Sequence, residues 1–269
     1  MNNDNKLELA LEKALKDVEK DKIGLLQEHT LHRVLKFYLS SDDAKHEIKI
    51  GRMYADVVLD NHIYEIQTKS FNLMRKKLEV FLQNYDVTIV YPMALNKTIY
   101  LTNEFGELVS VKKSPKHANP LEIFWELYKI KNFLLNKNLH FKILMLDIDE
   151  YRIEKEKTWK SRKGFERDNQ VPKMINHIYD INSSNDFKDM LLKYNLKEVF
   201  TSKDFSKSTH LTIKKAKTAL NVLTYLNVVE RIGKDRNSYL YKIVWITFFL
   251  IRGCVYYEMN YFYYYSIIF

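Results

Sequence analysis

Cysteine is nearly absent. Cys254 is the one thiol in 269 residues, which excludes an internal disulfide framework and suits a reducing compartment, the cytoplasm. Glycine and proline are scarce as well, six and four residues. So few glycines supply phosphate-cradling loops poorly, and the chain has no P-loop, no dinucleotide-type Gly-x-Gly-x-x-Gly and no Gly-x-Ser-x-Gly elbow. Ligands at zinc spacing are missing: His29 and His32 share a helical face, but no cysteine or third histidine accompanies them. The first twenty residues are charged and amphipathic, unlike a signal peptide. No internal repeat or long low-complexity linker interrupts the chain.

What is present is apolar substance and positive charge. A hydrophobic fraction of 46% is enough for a real core, in one large domain or two small ones. The formal net charge of +9 favours an anionic partner, most often nucleic acid. Part of that excess belongs to a general bias toward Lys, Asn, Ile and Tyr, which also produces merely solvated basic faces.

The most informative stretch is 53–69. Val57, Val58 and Leu59, then Ile63, Tyr64 and Ile66, form two apolar runs about Asp60-Asn61, the pattern of a β-hairpin with a two-residue turn. That turn pairs Leu59 with His62. Counting back along the ladder, Asp56 falls opposite Glu65, with Cβ atoms roughly 5 Å apart. Two adjacent carboxylates repel each other, and the arrangement makes sense with a divalent cation between them. Alternation puts Gln67, and Lys69 if the strand runs so far, on the face of Glu65.

Asp56, then Glu65-Ile66-Gln67 with Lys69 two places on, resembles the signature of the PD-(D/E)XK nuclease superfamily, which includes many restriction endonucleases and Holliday-junction resolvases. Gln67 stands where that family usually carries Lys. The resemblance implies Mg²⁺ (or Mn²⁺) held by Asp56 and Glu65, with Gln67 or Lys69 orienting the attacking water. The family's first core helix often adds an acidic residue, and here Glu28 is the candidate, on the stripe of Leu31, Leu35 and Tyr38 in a helix expected over 25–39. Its other reading is a first-turn glutamate favoured by the helix dipole.

The neighbouring segments agree in order. Leu7, Leu11, Ala14, Leu15 and Val18 predict a helix over 5–20, and 46–50 an alternating strand turned at Gly51-Arg52. A helix over 70–83 buries Phe71, Met74, Leu78, Phe81 and Leu82, leaving Arg75, Lys76 and Lys77 to point elsewhere, toward a phosphate backbone. Val87 to Tyr91 is a buried strand expected to stop at Pro92. Helix, three strands, helix, strand is the αβββαβ order that the superfamily implies, in the α/β (α+β) class, across about 25–112. A hairpin follows over 98–112, about Asn103 to Gly106. Asn119 and Pro120 open a helix to about Asn136, with Tyr128 and Leu134 inside. Phe141 to Ile148 is a strand covered on both faces. Asp147-Ile148-Asp149-Glu150 is taken as its solvated end, and 152–173, with Trp159 and Phe165 among lysines and arginines, as a basic excursion able to follow a nucleic-acid backbone.

From 185 the pattern changes. Thr201-Ser202-Lys203-Asp204 is a capping box, and Thr212 caps a helix over 213–226 that buries Ile213, Ala216, Leu220 and Leu223. Strands at 228–232 and 238–243 flank a basic turn at 233–237. Helix, turn, helix, hairpin resembles a winged helix-turn-helix domain over 185–243. It implies that Lys214, Lys215, Lys217, Thr218 and Asn221 face a major groove and that Lys234 and Arg236 reach phosphates. Residues 244–269 are almost wholly apolar and aromatic. Arg252 and Glu258 argue against a clean membrane span. An extra packed helix and a tail made by a reading-frame change are the other readings, the last preferred. The expected function is a Mg²⁺-dependent nuclease acting on duplex DNA, in pairs where both strands are cut and without a membrane partner. The alternatives are a catalytically lapsed nuclease fold acting as a DNA-binding regulator, and an interaction scaffold.

Overall fold

A computed structural model describes residues 3–20, 30–156, 164–245, 247–251 and 254–258. They form two compact units, 1–183 and 184–269, each described by itself.

The first unit contains, in chain order, α1 (Asn3–Lys20), α2 (Thr30–Leu39), β1 (His46–Ile50), β2 (Met53–Leu59), β3 (His62–Ile66), α3 (Arg75–Phe81), β4 (Asp86–Thr102), β5 (Leu108–Lys113), α4 (Ile123–Leu127), β6 (Leu139–Glu154) and β7 (Phe165–Ile181). The seven strands make one mixed sheet in the order β1-β2-β3-β4-β6-β7, with β5 paired to β4. β1, β2 and β3 are antiparallel neighbours; β3-β4 and β4-β6 are parallel; β6-β7 and β4-β5 are antiparallel. This is a mixed α and β architecture. The expected order of helix, three strands, helix and strand is found from α2 to β4.

Alternation along each strand explains the layers. Ile66, Val90, Leu144, Leu146 and Ile148 form one buried row, packed against Leu7, Ala10 and Ala14 of α1 and Leu31, Val34, Leu35 and Tyr38 of α2. Leu15, expected inside, is half exposed, because Ala10 completes the stripe instead. On α3 and the 3₁₀ turn before it, the five predicted side chains from Phe71 to Leu82 are all buried, and Phe71 meets Tyr91 edge to face at 5.3 Å.

Three expectations change. Pro92 does not end β4, which continues to Thr102. Val90 turns its carbonyl toward the β3 side, where the Gln67 N–H donates to it at 2.9 Å. Pro92, two residues on, faces the same side beyond the end of β3, so its missing N–H removes no ladder bond. The expected helix over 120–136 is three short pieces: Asn119 caps as predicted, but Ile130 is non-helical, and Tyr128 is exposed. The basic excursion is largely the far halves of β6 and β7, where Arg152 stacks on Phe165 at 4.1 Å; Trp159 lies outside the described residues.

The second unit holds α5 (Ser184–Leu192), β8 (Phe200–Thr201), α6 (Ser202–Thr209), α7 (Ile213–Tyr225), β9 (Val229–Asp235), β10 (Ser238–Ile243), β11 (Thr247–Ile251) and β12 (Cys254–Glu258). The capping box is formed: the Asp204 N–H donates to Thr201 Oγ at 3.2 Å, and the Thr201 N–H to Asp204 Oδ2 at 2.9 Å. Ala216, Leu220 and Leu223 are buried, but Ile213 is exposed at the first turn of α7. β9 extends into the expected five-residue turn while β10 begins at Ser238 as expected, leaving Arg236-Asn237 at the tip, with Arg236 at φ 51°. Where the tail is described it is the β11-β12 hairpin rather than a helix. Among the described residues no helix is long and apolar enough to cross a membrane.

Candidate active site

β4 has two long edges. β6 covers one throughout, pairing from Val87 to Thr102. On the other edge β3 covers Asp86 to Val90 and β5 covers Thr98 to Thr102. Between them β4 has no strand partner, and a cleft of about 550 Å³ opens there, lined by Pro92 and Ala94 of β4 together with His32, Asp56, Glu65, Gln67, Lys69, Lys77, Arg167 and Gln170. The four residues proposed from sequence for catalysis, Asp56, Glu65, Gln67 and Lys69, therefore line one cavity.

The hairpin that delivers the carboxylates has the predicted register, Leu59 with His62 and Val57 with Tyr64. Asp60 takes the turn at a left-handed φ of 52°, a conformation that aspartate tolerates. One step further along that register, Asp56 meets Glu65, and there the side chains enter the backbone bonding. The Ile66 N–H donates to Asp56 Oδ2 at 2.7 Å, and the Asp56 N–H donates to Glu65 Oε1 at 3.3 Å.

The cation beside Glu65 is Lys77. Its Nζ donates to Glu65 Oε2 at 2.8 Å and Oε1 at 3.1 Å. This corrects one expectation: Lys77 of α3 does not point away from the site. β3 ends at Ile66, so Gln67 and Lys69 reach the cleft from the segment that follows rather than from the strand. On the other side of the pair, His32 Nε2 of α2 lies 3.2 Å from Asp56 Oδ2. α2 is in turn tied to β7, where Asn169 Nδ2 donates to Thr30 Oγ1 at 2.7 Å. His32 and Lys77 both border predicted apolar stripes, His32 next to Leu31 and Lys77 one turn after Met74. That marginal position was the available signal for both.

The two carboxyl groups separate in acidity. Burial pushes Glu65 up, and the charge of Asp56 pushes it further, against the attraction of Lys77, to about 7. For Asp56 burial also acts upward. The His32 hydrogen bond and charge, the Ile66 N–H and the Lys77 charge together outweigh it and hold this carboxyl below its usual value.

The third predicted metal carboxylate, Glu28, lies outside the described residues. Among the described residues no group of three or more His, Cys, Asp or Glu side chains gathers to hold a metal ion. Asp56 and Glu65 are still a hard-oxygen pair of the kind that takes one Mg²⁺ or Mn²⁺, an ion that keeps several waters and needs only one or two protein carboxylates. Glu65, raised first by burial and then by the Asp56 charge, is the member of the pair that an added cation would relieve. On that test the residues fit a divalent ion.

Sequence reasoning missed a second constellation. Glu150, read as part of a solvated strand end, is completely buried. Its oxygens accept from Lys97 Nζ at 2.8 Å, Gln170 Nε2 at 2.7 Å and Arg152 Nε at 2.7 Å, and Arg167 Nε approaches to 3.2 Å. Burial pushes this carboxyl up, but Lys97, Arg152 and Gln170 pull it down to about 2. The signal was parity: Glu150 continues the row of Leu144, Leu146 and Ile148.

In the second unit, Lys214, Lys217, Lys234 and Arg236 are exposed, while Lys215, Thr218 and Asn221 are half-buried. Thr218 Oγ donates back to the Lys214 carbonyl at 3.1 Å. Lys234 Nζ sits 4.8 Å above the Tyr239 ring, and Arg231 covers the same ring at 4.5 Å.

Comparison with known proteins finds two likenesses. The model of a family described as a domain of unknown function (DUF8091) matches residues 29–182, from the start of α2 to the end of β7, and so includes every cleft residue named above. An uncharacterized protein of Treponema pallidum (strain Nichols) is 27% identical over 169 residues, covering 62% of this chain and 64% of that protein's length. No solved structure matches.

Proposed function

The chain belongs to this family of domains of unknown function (DUF8091), and from that premise we propose that it is a metal-dependent phosphodiesterase that hydrolyses nucleic acid, DNA above all. The observation that carries the reading is Lys77 closing on Glu65 beside Asp56 in the cleft. Two adjacent carboxylates with a lysine are the chemical content of the PD-(D/E)XK motif. Lys77, arriving from α3, stands in for the lysine that Gln67 replaces. In this reading the core from α2 to β5 is restriction-endonuclease-like.

Asp56 and Glu65 would hold Mg²⁺ or Mn²⁺. The ion supplies charge neutralisation at the scissile phosphate and a bound water of lowered pKa. The protein's own groups do the rest. Lys77 holds a positive charge where the phosphate gains negative charge in the transition state. His32 keeps Asp56 oriented. Gln67 and Lys69, on the wall of the cleft, can hydrogen-bond the incoming water or a non-bridging oxygen. The second unit, read as a winged helix, would grip duplex DNA through Lys214, Lys217, Lys234 and Arg236, with Lys215, Thr218 and Asn221 beside them.

Cleavage of labelled duplex and single-stranded DNA and RNA by the full chain, with and without Mg²⁺ or Mn²⁺, tests this directly. Metal-dependent cutting that is lost in Asp56→Asn and Glu65→Gln is the expected result. A second reading is favoured by one observation: Lys77 engages both oxygens of Glu65, where a cation would otherwise sit. In a lapsed nuclease fold that ion pair replaces the metal, and the protein binds DNA as a regulator. DNA retained at moderate salt, with no cutting by wild type under either metal, would select it.

A further inference from the structure

The group around Glu150 has a charge that the site already described does not use. Three cations, Lys97, Arg152 and Arg167, surround one buried carboxylate. Arg152 and Arg167 are directly paired across β6 and β7, an arrangement that repels unless an anion lies between them. Glu150 is that anion, but it balances one charge of three. Its Oε1 is taken by Arg152 and its Oε2 by Lys97 and Gln170, so little of it is left for Arg167. Arg167 is accordingly the least committed of the three. Its closest approach is the longest, 3.2 Å through Nε, and its side chain is 54% exposed, against 20% for Lys97 and Arg152. Arg167 and Gln170 also line the cleft that holds Asp56, Glu65 and Lys77. Its neighbour Glu166 lines a different pocket, with Phe105 and Glu154.

We propose that Arg167, backed by Glu150 and assisted by Gln170, is a phosphate clamp in the cleft that Lys77 also lines, taking a phosphodiester of the nucleic-acid strand next to the one that is cut. A guanidinium tethered by one nitrogen presents its remaining N–H groups as a planar fork, the geometry that two non-bridging phosphate oxygens match. Burying Glu150 among Lys97, Arg152 and Gln170 fixes where that fork points. The residual positive charge draws a polyanion into a cleft whose floor is acidic. The identity of the anion as a substrate phosphate rests on the phosphodiesterase reading; the clamp itself does not require cleavage.

The test is equilibrium binding of a fluorescein-labelled thymidine pentanucleotide to the full chain, by anisotropy in EDTA, across a salt series. A strand so short offers no duplex groove to α7. Arg167→Ala should weaken binding roughly tenfold and lower the slope of log Kd against log salt by about 0.7, the value for one single-strand phosphate contact. Arg167→Lys should keep the slope and lose part of the affinity, since it retains charge without the fork. Lys137→Ala, an exposed position just ahead of β6 and outside the cleft lining, should bind as wild type. Unchanged thermal midpoints for these exposed positions separate loss of a contact from loss of fold. Binding by Arg167→Ala within twofold of wild type at the same slope overturns the proposal, as does no binding of the probe by wild type. If the protein cuts nothing with either metal but Arg167→Ala still loses the pentanucleotide, the catalytic reading fails and the clamp stands.

Discussion

Glu65→Gln should make this protein more stable, and only where Glu65 is ionised in the unfolded chain. Glutamine has nearly the shape of a protonated glutamate, so the variant mimics Glu65 with its proton on. In the folded state that proton leaves only at about 7 rather than at the ordinary 4.5. One pKa unit corresponds to about 1.4 kcal/mol, so ionising Glu65 destabilises the fold by about 3 kcal/mol once both states have lost the proton. The attraction of Lys77 is already inside that figure, because the raised value is what remains after Lys77 has acted. Below 4.5 both states hold the proton, and wild type and variant should match. From there stability falls in wild type as pH rises, because the unfolded chain releases the proton first. The fall ends above about 7, where the folded carboxyl ionises too. Urea unfolding of both proteins at about pH 4.5 and about pH 8, following the transition of the first unit, measures the gap. Millimolar Mg²⁺ should then close it, since an ion at a hundred times its Kd returns about 2.7 kcal/mol to the protein that binds it. A variant that is no more stable than wild type at pH 8, or more stable by the same amount at both pH values, would refute the electrostatic account of the pair.

Three other outcomes follow from the same geometry. Lys77→Met, which keeps the apolar stem, should lower metal-dependent cleavage by about 10²–10³ while changing DNA affinity less than threefold, measured by single-turnover kinetics beside a binding titration. Glu150→Gln leaves Lys97, Arg152 and Arg167 without a counter-charge and should destabilise the first unit by about 3 kcal/mol at neutral pH. Because the Glu150 carboxyl is held at about 2, its contribution is complete above the unfolded value of 4.5 and is lost as pH falls toward 2, so the gap to wild type in an acid-unfolding series should shrink over that window. Lys217→Glu with Lys234→Glu should weaken duplex DNA binding and flatten its salt dependence, without altering metal-dependent cleavage of a short single strand; equal duplex affinity would remove the second unit from recognition.

What was legible in the sequence was local. Alternation about Asp60-Asn61 fixes a two-residue turn, and the turn fixes which residue faces Glu65; nothing further along the chain is needed. The stripe from Phe71 to Leu82 and the capping box at Thr201 are equally short-range, and each appears where its spacing puts it. Pro92 misled because proline's effect depends on which edge of the strand its nitrogen faces, and that is settled by where β3 ends. Ile130 broke a helix whose flanks look helical, so composition alone was a poor guide to its length.

The chemistry of the cleft is non-local, and the cation on Glu65 comes from a helix rather than from the continuation of its own strand. Lys69 is four residues from Glu65 along the chain, but after Ile66 the segment leaves the sheet. Ser70, at a left-handed φ of 61°, opens the 3₁₀ turn that leads into α3. Packing of Phe71, Met74 and Leu78 then sets the rotation of α3, and that rotation brings Lys77 onto Glu65. A motif read as consecutive letters assumes that the charge must come from the strand. The electrostatics require only that some cation reach a buried carboxylate, and the nearest helix supplies one. The same logic explains Glu150, whose partners lie 53, 20, 17 and two residues away. A buried acid on an apolar row of a central strand must be met by cations from adjoining strands, whatever the letters beside it suggest. Parity along β6 gives its depth, and depth demands the partners; only their identities needed the fold.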